Sequence, residues 1–222
     1  MRYILYLLCF LLCFPLISYA QDDSKGERES KSAKAINELR KGTLIIRFPS
    51  HRKKIEVLEK AASSNPARAE SIRENISEIT AQRDREHKEL IAALKEHYTF
   101  SKVLYMYDFE STQLLDGKRS GIFLSDELKP DPAISINTEH FYVLSIGSAG
   151  ESGMDAYIVH GPDLKELTRP FPYYFKKNNF WKVLFSVVDS KSDTRADPEK
   201  VVKKIQTSFE EYYRKHGALD WQ

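Results

Sequence analysis

The sequence predicts an α+β fold, in which a single mixed β-sheet packs against a long helical region after the first strand and against a C-terminal helix. Three observations support this prediction. A short apolar run at residues 43–48 is typical of a strand, residues 51–98 have the three-and-four spacing of helices, and residues 102–188 contain several short runs with period two. We expect the first strand, the helical region and the second strand to form a right-handed parallel crossover, and the later strands to extend the sheet in antiparallel fashion.

The first twenty residues have the pattern of a secretory signal peptide. A positive start at Arg2 is followed by an apolar run, and the small residues that end at Ala20 fit a cleavage site. A retained membrane anchor is the alternative. Both cysteines, Cys9 and Cys13, lie in this segment, so cleavage would leave a mature chain without cysteine. Such a chain has no disulfide, no thiol nucleophile and no cysteine-bound zinc. We therefore expect an exported protein, either periplasmic or secreted.

The remaining chain is predicted to be a flexible leader at 21–31 and one α+β domain at 32–222. The leader is polar and lacks apolar periodicity. A short helix is expected over 32–41, with Gly42 ending it, and the apolar run at 43–48 is the first strand.

Two helices are expected between residues 51 and 98. Asn65 is placed to cap the second of them, and Pro66 to occupy its first position. The stretch 82–88 is almost wholly polar, so we expect this part of the helix to project into solvent.

The second half of the chain contains the remaining strands and a well-bounded final helix. Asp197 can cap that helix, Pro198 suits its first turn, and Gly217 suits its end. A glycine-containing loop at 147–153 is expected to join two antiparallel strands. The predicted strands of this half are 102–107, 121–124, 141–146, 156–160, 171–175 and 180–188.

The nearly balanced charge of the chain gives it no strong electrostatic field that would attract polyanions. It has 34 basic and 32 acidic residues and a formal net charge of +2. This balance gives no reason to expect nucleic acid as a partner. We also expect no membrane span after signal cleavage.

A basic turn between the first strand and the first long helix is the clearest candidate site. Helix N-termini present free N–H groups that bind anions, and cations there are unfavourable unless an anion compensates. The alternative is that these side chains extend into water and pair loosely with Glu56 and Glu59. The predicted anion-binding residues are Arg47, Ser50, His51, Arg52 and Lys53.

The acidic residues near 108–131 form a second candidate group. Asp108 and Glu110 follow a strand and, with the acids of the next loop, have the chemistry of an acid–base pair or a cation site. Their spacing matches no known metal loop, and we favour the interpretation that they are surface turn residues. His140 and His160 flank a strand pair and are interpreted as structural. No serine lies in Gly-x-Ser-x-Gly, so the sequence gives no support for a serine hydrolase. No cofactor motif is present, and we expect neither a metal nor a cofactor.

The segment 169–175 contains two prolines and three aromatic residues. One interpretation is a contact surface for a partner, formed by Arg169, Phe171 and Tyr173. The alternative is an edge strand whose alternate aromatic side chains fill the core.

Three segments together resemble an uncharacterised family of exported bacterial proteins. They are Lys41-Gly42-Thr43-Leu44-Ile45-Ile46-Arg47-Phe48-Pro49, Gly121-Ile122-Phe123-Leu124 and Arg169-Pro170-Phe171-Pro172-Tyr173-Tyr174. The resemblance covers nearly all of the mature chain and implies export from a bacterium. It implies no activity and no functional residue.

We expect a non-catalytic binding or accessory module of the cell envelope, with an envelope protein or a small anion as its partner. The alternative is a binder of small anionic ligands or a hydrolase-type enzyme. That alternative would use the basic turn at 47–54 or the acids near 108–131.

Overall fold

The computed structural model describes residues 24–149, 154–176 and 197–217. Within them the predicted α+β architecture is confirmed, because five α-helices pack on a single mixed sheet of five strands. The predicted signal peptide and the strand at 180–188 lie outside the described residues. The helices are α1 (Lys25–Lys41), α2 (Arg52–Ser64), α3 (Ala69–His97), α4 (Ser111–Leu115) and α5 (Pro198–His216). The strands are β1 (Thr43–Phe48), β2 (Lys102–Tyr107), β3 (Phe141–Ala149), β4 (Met154–His160) and β5 (Tyr174–Lys176).

The strand order is β2-β1-β3-β4-β5. The β1 strand lies between β2 and β3 and runs parallel to both, while β4 and β5 continue the sheet antiparallel. The parallel pairing of the first two strands and the antiparallel hairpin of β3 and β4 agree with the sequence pattern. Residues 121–124 do not form a regular strand; they contribute isolated bridges, one of which joins Leu124 to Tyr105.

The two faces of the sheet have separate apolar cores. Alternate residues of β1 point to opposite faces. Leu44, Ile46 and Phe48 pack with side chains of α1, α3 and α5. Ile45 packs instead with residues of β2, β3 and the segment 114–136. Helices α1, α3 and α5 therefore cover one face, and most of the buried apolar residues between β2 and β3 cover the other.

Helix α1 begins at Lys25, seven residues before the expected start, and thus includes much of the predicted leader. The hydroxyl oxygen of Ser24 accepts a hydrogen bond from the Glu27 N–H (3.3 Å), and Lys31 pairs with Glu27 along the helix (3.0 Å). Polar side chains therefore stabilise these turns through capping and i,i+4 pairs, which an apolar pattern does not reveal.

The helical region differs from the prediction in its middle. The polar stretch 82–88 does not project into solvent, because His87 is only 4% exposed and its ring stacks on Phe48 at 4.2 Å. The Arg83 guanidinium donates a hydrogen bond to the backbone carbonyl of Ser50 (2.8 Å). The mostly exposed part is earlier: α2 packs on α3, and between residues 52 and 86 only Ala62 and Ala69 are buried.

Helix α5 agrees with its predicted boundaries. The Asp197 carboxylate accepts a hydrogen bond from the Lys200 N–H (3.4 Å), and Pro198 is the first helical residue. Its buried face is formed by Val201, Val202, Ile205 and Phe209. No helix of the described residues is long and apolar enough to cross a membrane.

Candidate functional site

An open cleft lies at the carboxyl ends of β1 and β2, where the chain leaves β1 and enters α2. Its volume is about 730 Å³. Ligands of open sheets often bind outside the carboxyl ends of parallel strands, where successive connections leave on opposite faces. The cleft is lined by Pro49, Ser50, His51, Arg52, Lys53, Lys54, Glu56, Asp108 and Phe109.

A tight turn positions the first turn of α2 in this cleft. His51 has a φ of 56°, in the left-handed region, which redirects the chain from the strand into the helix. The Ser50 N–H donates to Asp108 Oδ1 (3.1 Å), and the Ser50 hydroxyl oxygen accepts from the Arg52 N–H (3.3 Å). The end of β2 thus fixes the start of α2 through a single carboxylate.

Positive charge exceeds negative charge along the cleft. Arg52 pairs with Glu56 at 2.8 Å. Within the described residues, neither Lys53 nor Lys54 pairs with a carboxylate, and no acceptor faces their backbone N–H groups. The first turn of a helix has unsatisfied N–H groups and a partial positive charge, so these groups favour an anion.

An aromatic wall borders the basic turn. Phe109 is 45% exposed and stacks on Tyr107, with ring centroids 5.6 Å apart. The guanidinium of Arg52 lies 5.5 Å from the Phe109 centroid, and that of Arg83 lies 5.6 Å from the Tyr107 centroid. Cations over aromatic faces are held by the ring quadrupole, so both guanidinium groups have defined positions.

Four of the five predicted anion-binding residues line this cleft: Ser50, His51, Arg52 and Lys53. Arg47 is not among its lining residues. It lies one position before Phe48 and therefore points to the other face of the sheet. Burial lowers the pKa of Arg47, while the Asp108 carboxylate acts in the opposite direction.

On that other face, a serine and a histidine lie in contact. Ser145 of β3 is aligned with Arg47 of β1, and His160 is near the end of β4. The Ser145 hydroxyl lies 2.6 Å from His160 Nε2, and His160 Nδ1 lies 3.1 Å from the carbonyl oxygen of Leu164. Ser145 is 4% exposed and His160 is 8% exposed. Burial, followed by the charge of Arg47, lowers the pKa of His160.

The sequence patterns miss the Ser145–His160 pair, because its members are fifteen residues apart and on different strands. The available signal is a polar residue within an apolar strand: Ser145 follows Val143 and Leu144 and precedes Ile146. Together with the hairpin prediction, that interruption identifies a buried polar group that needs a partner.

The acids near 108–131 do not converge. Asp126 pairs with Lys95, and Glu127 pairs with Lys88 (3.4 Å). Asp131 accepts a hydrogen bond from the backbone N–H two residues later. In the part of the chain that the structure describes, no group of three or more histidine, cysteine or carboxylate side chains is placed to hold a metal ion.

The predicted partner surface at 169–175 is divided between the core and the solvent. Phe171 is 2% exposed and packs against Tyr142, Phe209 and Tyr212, so it is not available to a partner. Arg169 is exposed, and Tyr173 is partly buried.

Comparison with protein-family models, with curated proteins and with solved structures finds no match to this chain. The resemblance to exported bacterial proteins stays a prediction.

Proposed function

We propose that this chain is an exported binding protein of the bacterial envelope and that the cleft at the β1–α2 turn holds a small anion. The ligand chemistry is a phosphate, sulfate or carboxylate group. The observation that supports this most directly is the first turn of α2, which brings His51, Arg52, Lys53 and Lys54 to one cleft.

Helix electrostatics favours an anion at this position. Three consecutive cations at a helix N-terminus face the positive end of the helix dipole, which is unfavourable by roughly 0.3–1 kcal/mol each when nothing compensates. Asp108 compensates in part through its hydrogen bond to the Ser50 N–H. A bound anion would compensate the rest and would accept hydrogen bonds from the open N–H groups of Lys53 and Lys54.

Export supports the envelope part of the proposal. The pattern of residues 1–20 is that of a secretory signal peptide. An envelope protein is the second candidate partner, and the exposed Arg169 lies outside the anion cleft. A hydrolase that uses the acids near 108–131 has less support, because Asp126 and Glu127 of that group pair with separate lysines.

The test is the melting temperature in sulfate or phosphate against chloride at equal ionic strength. An anion that binds with a Kd of about 1 mM should stabilise the chain by about 1.4 kcal/mol at roughly 10 mM. This corresponds to a rise of about 3–6 °C for a chain of this size. The variant Arg52→Glu with Lys53→Glu should abolish the rise.

A matched control changes the net charge equally but outside the cleft. Lys60 and Arg68 are exposed and lie beyond the first turns of α2. Lys60→Glu with Arg68→Glu should keep the full rise in melting temperature. An equal loss in both double variants would mean that only the net charge matters, and the proposed site would be rejected.

A further inference from the structure

The hydrogen bonds around His160 assign its tautomer. The Leu164 carbonyl can only accept, so His160 Nδ1 bears the proton and donates to it at 3.1 Å. His160 Nε2 then has a lone pair, and the Ser145 hydroxyl donates its proton to that lone pair at 2.6 Å. The other acceptor near the hydroxyl, the carbonyl oxygen of Ile158, is farther away at 3.5 Å.

The direction of this hydrogen bond is that of an activated nucleophile. A serine becomes nucleophilic when a neighbouring base accepts its proton and a third group orients that base. Here the base is His160, and the orienting group is the Leu164 carbonyl. The environment also favours the neutral imidazole, because burial and the charge of Arg47 lower the pKa of His160; Asp163 and Glu166 act in the opposite direction.

Arg47 supplies a positive charge on the same face of the sheet. It is aligned with Ser145 on the neighbouring parallel strand, and it is partly exposed. No described residue accepts a hydrogen bond from its guanidinium. A cation beside a nucleophile can stabilise the negative oxygen of a tetrahedral intermediate.

We propose that Ser145 and His160 form a second site, in which Ser145 attacks small carboxylic esters and His160 acts as general base. The site is separate from the anion cleft and does not depend on it. A small acyl group is the class that fits, because Ser145 and His160 are largely covered, whereas Arg47 beside them reaches solvent.

The reaction balances with water as the only co-reactant. Ser145 Oγ forms a bond to the carbonyl carbon while its proton moves to His160 Nε2, and the oxyanion forms near Arg47. The C–O bond to the alcohol breaks, and the alcohol leaves with the proton from His160. Water then attacks acyl-Ser145, gives its proton to His160, and releases the carboxylic acid as the serine is restored.

The test is covalent labelling of the full chain with methanesulfonyl fluoride, a small probe of nucleophilic serines. The Ser145 oxygen bonds to sulfur, fluoride leaves, and His160 takes the serine proton. We expect one sulfonyl group per chain, mapped to Ser145 by peptide mass spectrometry. The variant His160→Gln should label at least about 100-fold more slowly. Hydrolysis of 4-nitrophenyl acetate should fall in parallel.

Two control variants separate this site from general serine reactivity and from a change in net charge. Ser135 also has a side-chain hydrogen bond, but to Asn137, so Ser135→Ala should label at the wild-type rate. The charge variant Lys60→Glu with Arg68→Glu, whose two positions are exposed and outside the anion cleft, should also keep that rate. Failure of the folded wild-type chain to label at Ser145 would overturn the proposal, even if a variant does not fold. Equal labelling of wild type and His160→Gln would also overturn it.

Discussion

Truncation of Phe171 to alanine distinguishes a core residue from a surface residue in the segment 169–175. Phe171 is 2% exposed, and its ring lies parallel to Tyr142 and 5.9–6.0 Å from Phe209 and Tyr212. Removing a fully buried phenylalanine leaves a cavity between β3, β5 and α5. Such truncations cost about 3–5 kcal/mol of unfolding free energy.

The effect is measurable by both heat and urea. At about 2–4 °C per kcal/mol for a chain of this size, the melting temperature should fall by about 6–20 °C. In urea the midpoint should fall while the m-value stays constant, because the surface exposed on unfolding changes little.

A matched control uses the same substitution on an exposed ring. Phe109 is 45% exposed and contacts Tyr107 and Arg52, so Phe109→Ala should cost less than about 1 kcal/mol. If Phe171→Ala cost no more than Phe109→Ala, Phe171 would not be in the core, and its interpretation as a contact surface would return.

Two further predictions concern stability. Burial lowers the pKa of His160 in the folded chain, so below about pH 6.5 the unfolded chain binds more protons than the folded chain. The free energy of unfolding should therefore decrease as the pH is lowered, by at most about 1.4 kcal/mol per pH unit. Urea unfolding should show this slope between about pH 7.5 and 5.5 in wild type and a smaller one in His160→Gln; parallel curves would contradict it. A Cβ on Gly42 would lie 2.3 Å from the His140 carbonyl oxygen, so Gly42→Ala should cost about 2 kcal/mol or more. Gly26→Ala, in an open helical position, should instead stabilise the chain by about 0.5–1 kcal/mol. Equal changes in unfolding free energy for the two variants would contradict the close approach of the His140 carbonyl to Gly42.

The sequence is sufficient to predict those elements whose periodicity and end signals agree. Helix α5 has an Asp–Pro start, a continuous apolar face and a glycine after its last turn, and its boundaries were predicted closely. The β1 strand was predicted because β-branched and apolar residues fill it. In both cases the local preference and the tertiary burial favour the same structure.

Burial of the stretch 82–88 could not be predicted from its composition. A charged helix segment is normally solvated, but here the chain reverses direction at Pro66, and α3 returns past the carboxyl end of β1. His87 then stacks on Phe48, and Arg83 reaches Ser50. These contacts join residues that are more than thirty positions apart, and helix periodicity contains no information about them.

Strand alternation divides the predicted basic site into two. Residues 47–54 are contiguous in the sequence, which favours a single cluster, but in a strand each residue faces opposite to the next. Phe48 enters the helix-covered core, so Arg47 must face the side of Ser145 and His160, while the turn after Phe48 brings residues 50–54 to the cleft. Asp108 connects the two sites: it accepts the hydrogen bond from Ser50 N–H, and it acts electrostatically on Arg47. One carboxylate at the end of β2 therefore acts on both parts of the predicted basic cluster, which the strand directs to opposite faces of the sheet.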